Sequence, residues 1–111
     1  MSRRLGLLPA AAALLLLLIA PSANAGEKLA IPAARERASS FAENTCAHDE
    51  ACHNAGVQNC RRASDRVVLC RIFDHRKTEE QGSFLCTRLV RLALQPPSQK
   101  VRVTGVSDWT C

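Results

Sequence analysis

The sequence has no tyrosine, and its aromatic residues are only Phe41, Phe73, Phe84 and Trp109. Proteins that track single-stranded nucleic acid combine a basic groove with several stacking rings. Specific nucleic-acid binding is therefore not expected, although basic residues from Arg61 to Arg102 are spread over the second half of the chain. There is no Cys-x-x-Cys motif: the closest cysteines, Cys46 and Cys52, are separated by five residues. The usual thiol–disulfide exchange signature is thus missing. No Gly-x-Ser-x-Gly elbow surrounds any serine, so the common acyl-transfer arrangement is missing too. The carboxylate pairs Asp49-Glu50 and Glu79-Glu80 are adjacent in sequence and read as surface loops. His75, between Asp74 and Arg76, reads as a solvated strand end. Together these absences predict no enzyme activity, no catalytic residue and no cofactor. The longest apolar run, Ala10–Ala20, is 11 residues, against the roughly 20 needed to span a bilayer.

That run reads instead as the core of an export signal. Arg3 and Arg4 precede it, Pro21 and Ser22 break it, and Ala23-Asn24-Ala25 supplies a small-x-small cleavage site. The predicted organisation is a signal peptide over 1–25 and one small domain over 26–111, secreted or periplasmic, with no transmembrane segment after cleavage. All six cysteines fall in the second part. An even count in a short exported chain reads as a disulfide framework.

The cysteine positions fit a ladder of antiparallel strands from Val57 to Cys111. A turn near Asp65 sets Cys60 opposite Cys70. A turn near Thr78 sets Cys70 opposite Cys86. A turn between Ser98 and Gln99 sets Cys86 opposite Cys111. Facing residues have Cβ atoms about 4.5–5.5 Å apart, close to bonding range for sulfurs. The expected strands are Val57–Arg62, Arg66–His75, Ser83–Leu94 and Lys100–Val106. Ser83–Leu94 also fits a helical period through Leu85, Leu89 and Leu92, and Pro96-Pro97 ends it either way. A helix precedes the strands, opened by Pro32, with Ala34, Ala38, Phe41, Ala42 and Thr45 on one face. It ends near Asn44 or continues to Cys52, with Asn54 and Gly56 as stop signals. In a continuous helix Cys46 and Cys52 would lie about 9 Å apart along the axis, too far to bridge. A Cys46–Cys52 bond therefore requires a break, with Asp49 capping a short turn. The fold expected is α+β, one N-terminal helix packed on a four-stranded antiparallel meander. The preferred pairing is Cys46–Cys52, Cys60–Cys70 and Cys86–Cys111.

These registers sort the strand residues into two faces. Val68, Cys70, Ile72, Phe84, Cys86, Val90, Leu92, Leu94, Val101, Val103, Trp109 and Cys111 share the face assigned to the core. The other face carries a patch of Val67, Leu69, Phe73, Leu85, Leu89 and Val106. With a helix on one side only, that patch stays open, which points to a homodimer or a protein partner. A one-residue slip in register would instead swap the faces. Attraction to an anionic envelope polymer or membrane surface is the looser alternative. The densest set of ligand-type residues is Cys46, His48, Cys52 and His53, with His48 and Cys52 four apart on a continuous helix. It gives a second functional reading, a metal-binding or thiol-active envelope protein.

A helix followed by four antiparallel strands over Pro32–Cys111 resembles the cystatin-like architecture. Cystatins plug proteases with a Gln-x-Val-x-Gly hairpin. Gly56-Val57-Gln58 and Val103-Thr104-Gly105-Val106 do not match it, so inhibition is not implied. The run from Thr45 to Asp49, with Gly56-Val57, Asn59-Cys60-Arg61-Arg62 and Val67-Val68-Leu69-Cys70, resembles small exported bacterial proteins of unknown function. That resemblance implies no activity.

Overall fold

The computed structural model describes residues 28–111. The export signal expected over 1–25 and its cleavage site lie outside the described residues. Helix α1 (Ile31–Ala47) is followed by strands β1 (Cys52–Ser64), β2 (Val67–Thr78), β3 (Gly82–Gln95) and β4 (Lys100–Val106). The strands form one antiparallel sheet in the order β1-β2-β3-β4, and α1 lies across one side of it.

Pro32 sits in the first turn of α1, and among the described residues no side chain caps that end. The helix buries Ala34, Ala38 and Ala42, four residues apart and therefore on one face. Methyl side chains let the helix lie close on the sheet. The large apolar groups beneath it come from the strands: Val68, Ile72, Val90 and Leu92, with Leu29 closing one end. Phe41, Val57, Val101, Val103 and Trp109 pack around this core. Leu29 is pinned by backbone and side chain together. Its N–H donates to the Asp65 carbonyl at 2.8 Å, and its carbonyl accepts from Arg62 Nη2 at 2.5 Å. The same guanidinium donates through Nη1 to the carbonyls of Ser64 and Asp65.

The helix breaks after Ala47, as the Cys46–Cys52 bond demands. The Cα atoms of that bond are 5.3 Å apart. Asp49 is the turn residue: its Oδ1 accepts from the Ala51 N–H at 3.0 Å. The other bonds are Cys60–Cys70 and Cys86–Cys111, so all three expected pairs are present. Two of them follow from register. Cys60 faces Cys70 across β1 and β2. An irregularity beside Arg91 and Leu92, then the Thr87–Thr110 bridge, bring Cys111 back beside Cys86.

The structure corrects several expectations. Cys70 faces Val90, and Cys86 faces Asp74. The β2–β3 turn is centred on Glu80 rather than Thr78 because β2 continues through Arg76 and Lys77. This displacement is even in residues, so the faces keep their identity. Strand β1 begins at Cys52, not Val57, and Asn54 and Gly56 stand inside it. Gly56 serves close approach: a Cβ there would meet Cε1 of Phe73 at 2.9 Å. Ser83–Leu94 is a strand, not a helix. Finally, Thr104 is the extra residue of the β4 irregularity, and it sets Val106 opposite Val90. Val106 is exposed, but its register belongs to the helix side, so it leaves the patch.

Candidate functional site

Cys46, Cys52 and His53 line one open hollow beside the turn after α1 and His48 does not, and the four residues of the metal or thiol reading form no ligand set. Cys46 and Cys52 are bonded to each other. Their oxidised sulfurs are poor ligands, since the thiolate is the ligand form. The helix ends before His48, so His48 and Cys52 do not share a helical face. His48 Nδ1 donates to the Asn44 carbonyl at 2.8 Å. His53 is the unpaired extra residue where β1 shifts register between Cys52 and Asn54. Among the described residues no group of three His, Cys, Asp or Glu side chains is placed to hold a metal ion.

Two polar groupings on the helix side were not singled out in the sequence. Arg76 donates from Nη2 to Asp49 Oδ2 and from Nη1 to Asp74 Oδ2, both at 2.8 Å. Arg76 thereby ties the turn after α1 to the sheet. The bond from Arg76, and then that from the Ala51 N–H, hold the Asp49 carboxyl below its ordinary range. Bonding to Asp49 raises Arg76 in turn. The second grouping centres on Arg88, whose guanidinium stacks 4.1 Å from the Trp109 ring centroid and 5.8 Å from that of Phe41. Burial pushes the Arg88 guanidinium down. Asp74 Oδ1 and Arg88 Nε are both buried without a hydrogen-bond partner among the described residues. They border a cavity too narrow to seat a water molecule, lined also by Thr45, Ile72 and Phe73. Such tightness suits a structural joint more than a ligand site. The signal was parity: Asp74 and Arg88 alternate in phase with Ile72, Cys86 and Val90.

The open side of the sheet is the larger feature. Directly facing residues of an antiparallel pair share a face. Register therefore groups Val67 with Ala93, Leu69 with Arg91, Arg71 with Leu89, Phe73 with Thr87, and His75 with Leu85. Strand β1 adds Arg61 beside Leu69 and Asn59 beside Arg71. Strand β4 adds Arg102 beside Ala93 and Lys100 beside Gln95. Leu85 is 49% exposed; Val67, Leu69, Phe73 and Leu89 are half-buried. Arg91 Nη1 donates to Thr104 Oγ1 at 2.7 Å. No second layer among the described residues covers this side.

Charge divides the two sides. The only carboxylate in any of the four strands is Asp74, and it is buried against the helix. The open side carries Arg61, Arg71, Lys77, Arg91, Lys100 and Arg102 with no strand carboxylate between them. Among the described residues the other acidic groups are on α1 (Glu36, Glu43), in turns (Asp49, Glu50, Asp65, Glu79, Glu80) and at Asp108. Cations thus alternate with leucines over one continuous uncovered face.

No family model, no curated protein and no solved structure matches this chain.

Proposed function

We propose that the protein is an exported, non-enzymatic interaction module whose contact surface is the open side of the sheet. The observation that carries this reading is the uncovered face of Val67, Leu69, Phe73, Leu85 and Leu89, threaded with arginines. A sheet that needs only one packed side for its core leaves such apolar residues unexplained by folding. Export is supported by the N-terminal signal pattern and by three disulfides, which persist in oxidising compartments. Among the described residues no helix is long and apolar enough to cross a membrane. The absence of catalytic motifs in the sequence supports a binding role over an enzymatic one. The test is gel filtration of the oxidised protein combined with a fluorescent hydrophobic dye. Dye binding that Leu85→Ser and Leu89→Ser reduce is expected, with or without self-association. A strict monomer that binds no dye overturns the reading.

A further inference from the structure

Resting on the proposed contact surface, we infer that its occupant is an anionic lipid surface. The argument starts from charge. An isologous dimer through this side would face Arg61, Arg71, Arg91 and Arg102 with the same four cations of a second copy, since two-fold contacts use one patch twice. Like charges brought together that way oppose association. The partner that fits is negative.

The spacing narrows it further. On the open side, each arginine of the two central strands stands level with a leucine, Arg91 with Leu69 and Arg71 with Leu89, and Arg61 of the edge strand β1 stands on the other side of Leu69. Cation and apolar group are thus about 4.5–5.5 Å apart at Cβ. A soluble polyanion satisfies the cations and leaves the leucines in water. A phospholipid interface offers both, phosphate oxygens above and acyl carbon just beneath. Arginine suits that boundary, because its stem lies along apolar surface while its planar fork binds phosphate through two hydrogen bonds. The face is a broad sheet surface rather than a cleft, which suits a surface more than one bound molecule.

The test is co-sedimentation of the oxidised exported protein with extruded vesicles. One set is equimolar phosphatidylglycerol and phosphatidylcholine; the other is phosphatidylcholine alone. Binding is expected to the anionic set only, and to weaken as salt is added. Arg71→Glu with Arg91→Glu is expected to lower partitioning at least about tenfold. Arg35→Glu with Arg37→Glu, on the exposed side of the helix, is expected to lower it far less. Should the glutamate pair fail to fold, Arg71→Gln with Arg91→Gln serves, with Leu89→Ser as the apolar counterpart. Equal loss in both charge-reversed pairs, equal binding to both vesicle sets, or binding to soluble heparin or polyglutamate without vesicle binding each overturns the inference. Absent vesicle binding in a protein that still binds dye through Leu85 and Leu89 refutes the lipid occupant alone. Absence of both refutes the contact surface as well.

Discussion

The two sides of this sheet are made from the same strands yet obey different rules. On the helix side, Val68, Cys70, Ile72, Val90 and Leu92 are essentially removed from water. The polar residues there are committed: Arg76 to two carboxylates, Arg62 to three carbonyls, and Arg88 to the Trp109 ring. On the open side, leucines alternate with arginines that have no strand carboxylate beside them. The first side explains why the chain folds. The second is the surface we propose for contact with a partner. Substitutions should therefore separate stability from binding according to the side they strike.

The largest effect is expected on the cross-links. Cys60→Ser with Cys70→Ser removes a buried bridge between β1 and β2 and should cost about 2–5 kcal/mol of stability, read as a lowered urea midpoint. In so small a domain that loss is enough to unfold a large share of the molecules at 37 °C. Next comes a paired comparison of leucines on one strand. Leu92→Ala, on the helix side, should cost about 2–5 kcal/mol by opening a cavity. Leu89→Ala, on the open side, should cost under about 1 kcal/mol. Equal costs in urea unfolding would mean that the open side is also a core. A smaller effect, about 1–3 kcal/mol, is expected for Gly56→Ala, because the Phe73 ring must shift to admit the new methyl. The smallest concerns Asp49. Its carboxyl titrates lower in the folded protein than in the unfolded chain because of Arg76. Its contribution is therefore present above the unfolded value and lost as pH falls through the folded one. Asp49→Asn should destabilise slightly at pH 7 and flatten the acid limb of a stability–pH curve measured in urea.

Much of this division was legible in the chain. Cysteine positions alone located the β1–β2 register, because Cys60 and Cys70 are equidistant from Asp65. The alternation of Val68, Cys70 and Ile72 assigned the helix side correctly. The β2–β3 register was not legible: the charged run Arg76–Thr78 looks like a loop, yet it is strand because Arg76 has Asp49 and Asp74 to meet. The extent of β1 was hidden by three register shifts, which destroy the two-residue period through which strands are recognised. The shift at Thr104 misplaced Val106 for the same reason. Asp74, Arg76 and Arg88 were missed as inward groups because polar residues in apolar phase are read as exceptions. Asp74 and Arg76 pair with each other two residues apart, but the further partners, Asp49 on the turn after α1 and Trp109 in the C-terminal segment, lie far away in sequence. The segregation of carboxylates from the open side was present in the strand sequences, but it acquires meaning only once the strands are placed side by side.

The most direct test of the two-sided account is methyl NMR of the oxidised protein with anionic bicelles carrying a spin-labelled lipid. The account predicts selective broadening at Val67, Leu69, Leu85 and Leu89, with Val68, Val90 and Leu92 unchanged. Broadening centred on the alanine methyls and Ile31 of α1, with the open-side leucines unaffected, would contradict it.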